Sequence, residues 1–529
     1  MKKKKGWTGA STEKNYNNQG IFTIFELLSC KKKLPGNSFY FKDILKGMKM
    51  INFYGKQSLS AICLLFGWTA SAQSYHAING SPYAGVESMY VNPASTVNSA
   101  FKWDLSLFSM QEVMSNTMFT INDGSILNYN NAYSGFTPGT RSRFLHENLD
   151  FSLFNFRIKL DDKSAFAFGV RGREFFNSKT RPFYYNDTIS TAQSFLHDNT
   201  SLPYLQGFGT TNSWGEINLN YSRIFQQTSN SRLSAGITFA YIRGVSGASG
   251  NTNHLTYQEG AASNGSNFYT LTGGSVMAEY SNNYDLTSNN YSITKNAKIF
   301  LKNTIPSFNL NFGVEYLFRN YSPYPDDELN SENYDWKIGA SILDLGDNYY
   351  KRASSSFYAS SPKITATDTS LITALNQLNY LKSIRDTLSH YFNVIDTLHG
   401  NFSIANPTRL TISVDRNLGN HFYINGQLNI NFYSTEPSSN LKTREINLLT
   451  ITPRWETAKW GFYMPIQYNA QGQFWVGGAI KLGPLLIGMH SLDFIKWFKT
   501  GTQTYNGGGY IMLNIHPFGK KENDGIICP

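Results

Sequence analysis

The sequence has almost none of the devices that staple small exported domains or carry a chain through lipid as helices. Of its three cysteines, Cys30 and Cys63 fall within the first 72 residues, leaving Cys528 alone downstream. One cysteine closes no internal bridge, so no disulfide framework supports the fold. No apolar run reaches the roughly 20 residues that a membrane-spanning helix needs. Beyond residue 72 there is also no excess of either charge. The first 72 residues hold twelve lysines, no arginine and three acids, which accounts for nine of the ten net positive charges; the remainder carries 34 basic and 33 acidic residues. The overall basic balance therefore gives no reason to expect nucleic acid as a partner. The recognisable chemistry of catalysis is missing too. The nine histidines stand singly, none at metal-ligand spacing, and neither a G-x-S-x-G elbow nor a phosphate-binding loop occurs. No enzyme activity, cofactor or metal is expected, and Asp344 in "LDLG" reads as a turn or lumen carboxylate rather than a catalytic acid or base.

What is present begins with a leader. "SLSAICLLFGW" (58–68) is a short apolar core that follows Lys46, Lys49 and Lys56 and precedes Ala70-Ser71-Ala72. That order of charge, apolar run and small residues is a secretory signal peptide, with cleavage before Gln73; a buried core helix is the rival reading. Met48 and Met50 stand where such a peptide starts. Residues 1–47 are then either a misannotated upstream extension or a long charged region of the signal, and 48–72 the signal itself.

From Phe101 to Phe518 the dominant signal is alternation. "FSLFNFRIKL" sets Phe154, Phe156, Ile158 and Leu160 against Asn155, Arg157 and Lys159. "AFAFGVRG", "INLNYSR", "LSAGITFAY", "FNLNFGVEYLF" and "LTISVDRNLGNHFYINGQLNINF" repeat the pattern, each strand having one apolar and one polar or small face. A soluble sandwich would bury the apolar faces against each other; a transmembrane barrel would turn them to lipid around a polar lumen. Short connections (161–163, 226–231, 416–420) alternate with long ones (177–212, 245–300, 350–405), which favours the barrel. Fourteen strands can be counted, near 101–110, 150–160, 164–176, 213–224, 232–243, 306–319, 335–345, 407–415, 421–433, 443–454, 459–469, 472–482, 485–491 and 507–517. "MSNTMFTIND" and "VMAEYSNNYDL" would extend that number if they pair. The fold class expected is all-β: a transmembrane antiparallel barrel spanning 101–518, with a tail at 519–529. Its lumen candidates are Arg157, Lys159, Arg171, Arg173, Glu315 and Arg319. One insertion breaks the period: between 368 and 398 leucines and isoleucines recur every three or four residues, as in an amphipathic helix. It lies in a long loop on the extracellular side, either as a lid or as cover for loop backbone.

"YAGVESMYVNPAS", with Gly85 and Asn92-Pro93-Ala94 just ahead of the first strand, resembles the N-termini of fatty-acid and aromatic-hydrocarbon transport barrels. The type IX secretion barrels of Bacteroidota are similar there. The resemblance implies a mature N-terminus, residues 73–100, folded inward as a plug, with Asn-Pro-Ala joining it to strand one. A mobile periplasmic tail is the plain alternative for a terminus, although Tyr83, Val86, Met89, Tyr90 and Val91 are apolar for a tail in water. "IGASILDLG", "ANPTRLTISVDRNLG" and "WGFYMPIQYNAQGQFWVGGAIKLGPLLIG" resemble an uncharacterised Bacteroidota outer-membrane family carrying a domain-of-unknown-function label. These likenesses imply an outer-membrane protein in contact with lipid that binds or passes small hydrophobic molecules. The alternative is a non-transporting barrel acting through secretion or assembly partners.

Overall fold

The computed structural model describes residues 76–122, 133–186, 188–189, 191–261, 267–286, 292–320, 328–363, 381–433, 441–492, 503–504 and 506–517. The leader, cleavage site and 519–529 tail expected from the sequence lie outside these.

Fourteen strands form one closed antiparallel wall. We label them β1 (Trp103–Asn116), β2 (Phe144–Lys159), β3 (Ser164–Thr180), β4 (Leu205–Gln227), β5 (Ser231–Ala261), β6 (Pro306–Phe318) and β7 (Trp336–Lys351). The wall continues through β8 (Arg409–Gly419), β9 (Phe422–Asn431) and β10 (Leu448–Glu456). β11 runs in two pieces, Trp460–Tyr463 and Ile466–Asn469, and β12 in two more, Phe474–Val476 and Gly478–Leu482. β13 (Leu485–Met489) leads to β14 (Asn506–Ile515), which closes the ring on β1 with Leu105 opposite Ile515 and Ser115 opposite Asn506. Each of the fourteen segments read from the sequence falls on one wall strand. The two doubtful segments do pair, but not as wall: Phe119–Asn122 joins a small three-stranded sheet, and Asn267–Tyr280 lines the outer half of β5.

Period two places the side chains, and their burial is inverted relative to a soluble protein. On β6, Phe308, Phe312 and Val314 are exposed (57%, 42% and 49%), while Ser307, Asn309, Asn311 and Glu315 between them are buried. The same inversion holds on β4, where Ile217, Leu219 and Tyr221 face out and Asn218, Asn220 and Ser222 face in. An apolar belt of this extent, wrapped around a closed wall with a polar interior, is the surface of a barrel immersed in lipid. No described helix is long and apolar enough to cross a membrane; the strands do the crossing.

Short turns connect strands at the end where β1 begins, and long connections lie at the other. β4 and β5, at 23 and 31 residues, far exceed the roughly 9–11 that span a bilayer. Their outer halves build a lobe with Asn267–Tyr280, Phe357–Pro362, Phe392–Thr397 and two helices, α1 (Ala192–Asp198) and, later in the chain, Leu381–Leu388. Its core packs Phe195, Tyr269, Phe357, Ile384, Leu388 and Phe392 together.

Two expectations need correction. The helix expected over 368–398 is helical only at Leu381–Leu388 within the described residues. Phe392–Thr397 is a strand paired with Phe357–Pro362, and residues 364–380 lie outside the description. The β-branched run at Val394 and Ile395 found a ladder partner, and pairing overrode the three-to-four spacing. Residues 443–447, assigned to a strand, instead leave the wall and turn into the lumen; β10 starts at Leu448.

Candidate functional site

The interior of the ring is occupied by the chain's own N-terminal segment. Residues 76–100 form three short 3-10 turns, His76–Ile78, Gly85–Tyr90 and Pro93–Thr96, and enter from the short-turn end. Gly85 turns with φ of 61°, and a Cβ there would lie 2.4 Å from a carboxylate oxygen of Asp104. Both needs, left-handed backbone and close approach, call for glycine. The same Asp104 carboxylate accepts from the Val86 amide at 2.5 Å.

Asn92, Pro93 and Ala94 do three separable jobs. The Asn92 Oδ1 caps the third turn, accepting from the Ala94 amide at 3.0 Å, and Pro93 occupies the first position of that turn. The Asn92 amide donates to the Val314 carbonyl of β6 at 3.0 Å. The dipeptide lies flat on three inward glycines from neighbouring strands: Gly236 on β5, Gly313 on β6 and Gly339 on β7. Built Cβ atoms there would meet the Pro93 carbonyl oxygen at 2.3 Å, the Asn92 Oδ1 at 2.0 Å and the Asn92 Nδ2 at 2.8 Å respectively.

Polar side chains of the wall hold the rest. Glu315 accepts from Ser95 at 2.5 Å and Asn98 at 2.7 Å. Thr96 donates to Asn220 at 2.7 Å, and Ser81 to Glu456 at 2.7 Å. Arg157 pairs with Asp104 while its Nη1 and Nη2 donate to the carbonyls of Thr96 and Phe101 at 3.2 and 2.6 Å. Arg454, paired with Asp415 and Glu456 at 2.6 and 2.7 Å, donates to the Gly80 carbonyl at 3.3 Å.

Toward the long-loop end an ion-pair network crosses the lumen. Asp150 on β2 takes Arg171 and Arg173 of β3 at 2.6 and 3.0 Å; Arg173 reaches on to Asp344 of β7 at 2.7 Å, which also pairs with Arg409 of β8. Asp344 is thus a lumen carboxylate with both oxygens engaged by guanidinium groups. Residues 441–447 fold in above it. Asn177 accepts from the Arg444 amide at 2.7 Å and donates to its carbonyl at 3.0 Å, Asn212 donates to Thr443 at 2.7 Å, and Glu445 lies 3.8 Å from Arg409 and 3.6 Å from His146. Among the described residues, one cavity of about 30 Å³ between the N-terminal segment and the wall is bordered by Glu87, Val91 and Glu315, and another of about 30 Å³ by Glu87, Tyr90 and Arg171. Each has room for about two waters.

Of the lumen candidates, Arg157 and Glu315 grip the N-terminal segment, and Arg171 and Arg173 belong to the ion-pair network. Arg319 donates to the Ser229 carbonyl at 2.7 Å in a short turn, and Lys159 is half-buried at the same rim, so neither joins the other four. The glycine seat (Gly236, Gly313, Gly339), Asp104, Asn220 and the Arg454 cluster were not singled out from sequence. Strand parity points each of them inward, but which strands lie side by side around the ring is not written in one sequence. Among the described residues no group of three or more His, Cys, Asp and Glu is arranged to hold a metal ion.

Solved barrels of similar outline exist. A FadL homologue from Pseudomonas aeruginosa is 9% identical, with 84% of this chain and 98% of that one covered, at a TM-score of 0.38. The toluene transporter TodX of P. putida is 10% identical over 82% and 95%, also at 0.38. The ferric yersiniabactin receptor FyuA of Yersinia pestis is 8% identical over 79% and 69%, at 0.23. Likenesses this remote say nothing about cargo. No curated protein matches the sequence. One family model does, from Pro93 of the glycine-seated junction to His490 just beyond β13, and through that match over residues 93–490 the chain belongs to the family of unknown function DUF5723.

Proposed function

We propose that the protein is an outer-membrane barrel that binds or passes small, apolar molecules, with residues 73–100 as the plug that closes it to ions. The observation that carries this reading is the filled lumen. A pore for polar solutes needs a continuous aqueous path, whereas here, among the described residues, the N-terminal segment, the ion-pair network and residues 441–447 occupy the lumen from its short-turn end toward its long-loop end. The apolar side of the plug suits another kind of cargo. Val86, Met89 and Tyr90 pack on Ala167 of β3, beside the point where the β2–β3 register shifts between Leu153 and Phe156. At that shift the Asn155 side chain accepts from the Val170 amide at 3.2 Å. Leu153 and Phe154 face lipid on the other side, at 49% and 54% exposure. The plug's apolar surface and the bilayer are therefore separated by a single wall layer whose ladder shifts register at that point.

Native mass spectrometry of the protein extracted from its own membrane tests the reading. Apolar small-molecule adducts that are lost on Met89→Lys support it. Stoichiometric protein partners with no such adduct would replace it with a secretion- or assembly-associated barrel. Export through a signal ending at Ala72 belongs to the same proposal; the membrane-extracted chain should begin at Gln73, and peptides from 1–47 in that material would contradict it.

A further inference from the structure

We infer that the helix α3 (Ile293–Lys302), with the preceding turn of helix α2 (Asn283–Leu286), is a foot that docks on anionic lipid headgroups of the leaflet on the long-loop side. The inference rests on the barrel spanning a membrane and is independent of the plug and of any cargo.

The position of α3 is fixed by its anchor. The residue after next beyond its C-terminus, Thr304, accepts from Arg243 Nε at 2.8 Å, and its carbonyl from Arg243 Nη2 at 3.2 Å; the same guanidinium donates to the Tyr241 hydroxyl at 3.1 Å. Arg243 and Tyr241 follow Leu233, Ile237 and Phe239 on the outward, lipid-facing side of β5. The Phe308 ring packs beside Tyr241 at 5.8 Å and is 57% exposed. The helix therefore lies outside the wall, not over its mouth. Its height is the end of the apolar belt. On β3 the outward face changes from Phe166 and Phe168 to Glu174, and the ladder leads from Glu174 through Ser213 to Ser246, three residues beyond Arg243. Charge joins the aromatic rings of the outward face at this level, Glu174 being followed on the same face by the half-buried Phe176, as at the boundary between acyl chains and headgroups.

The composition of α3 fits that boundary. Ser292 caps it, accepting from the Lys295 amide at 3.3 Å. Phe300 turns back onto Tyr284 of α2, ring centroids 5.7 Å apart. On the free side Leu301 is 66% exposed, between Lys298 and Lys302, and Leu286 of α2 is 47% exposed. Neither Lys298 nor Lys302 enters an ion pair among the described residues. A leucine that bare on a ten-residue helix is costly in water, and lysines flanking it can lay their stems along acyl chains with the ammonium groups among phosphates. The occupant is a phosphate-bearing lipid surface, continuous with the belt the barrel already buries.

The test places a nitroxide at Leu301→Cys in the full chain with Cys30→Ser, Cys63→Ser and Cys528→Ser, in nanodiscs of phosphatidylcholine alone or with phosphatidylglycerol. A second label at Thr200→Cys, exposed on the lobe, is the aqueous reference, and heat-modified gel migration confirms folding of every variant. We expect the oxygen-to-nickel-chelate accessibility ratio at 301 to exceed that at 200 by about twofold or more. It should rise further with phosphatidylglycerol, and the rise should disappear in Lys298→Gln/Lys302→Gln. A ratio at 301 equal to that at 200, or one indifferent to lipid charge, overturns the inference.

Discussion

Gly313 shows how one missing side chain can position a whole segment. Any Cβ there would sit 2.0 Å from Asn92 Oδ1, with the Pro93 ring and its nitrogen within about 3 Å, so the wall cannot yield without moving the junction. Gly313→Val should leave the strand intact, since valine suits extended backbone, but unseat the plug at a cost of roughly 1–3 kcal/mol. Hydrogen exchange of amides 92–98 should accelerate accordingly, and unchanged protection would contradict the glycine-seat account. Arg173 makes the complementary case. Arg173→Met leaves Asp150 and Asp344 buried with one guanidinium each, and should cost on the order of 3 kcal/mol in urea unfolding from bilayers. Glu445 adds a pH dependence. Burial outweighs the nearby Arg409 and pushes its carboxyl up to about 7, with His146, Arg173, Asp150 and Asp344 also around it. A folded pKa above the unfolded value favours the inward position of 441–447 at low pH, and that preference is lost as pH rises through about 4.5 to 7. Exchange in 441–447 should therefore be slower near pH 5 than near pH 8 by about tenfold or more, once corrected for intrinsic rates, and Glu445→Gln should abolish the difference.

At the scale of the element, the period-two strands were legible because lipid outside and polar contacts inside impose the same alternation on every strand. Substitution should follow that alternation. Phe312→Arg, on the lipid side of β6, should cost about 2–4 kcal/mol if it sits near the midplane, as read from the shift of the folding midpoint in bilayers of fixed thickness. Equal tolerance of arginine at Phe312 and at a loop position would count against the lipid-facing assignment. Parity fails where a strand bulges. At Phe154, φ of 59° inserts an extra residue, so Leu153 and Phe154 both face out and Asn155 is drawn against Glu87 and Tyr90. Residues 443–447 were misread for a related reason. A segment buried by polar contacts inside a lumen has the composition of a strand's inward face without a ladder to hold it. The plug junction was legible only through Gly85 and the Asn-Pro-Ala turn, whereas the glycines that receive it depend on which strands adjoin.

At the scale of the molecule, the wall, the plug and the inward segment 441–447 form one closed body. The wall supplies the apolar exterior, Glu315, Arg157 and Arg454 fasten the plug near one end, and the Asp150–Arg173–Asp344 network bridges the lumen toward the other. A fourteen-strand wall is wider than its own side chains fill, so on the proposed reading the N-terminal segment is what separates a closed barrel from a pore. Single-channel recording in planar bilayers tests this most directly, comparing the intact protein with a chain lacking residues 75–95. We predict that the intact protein is electrically silent or nearly so, and that the deletion opens large, steady ion currents. An intact protein that already conducts like an open porin, or a deletion that leaves conductance unchanged, would contradict it.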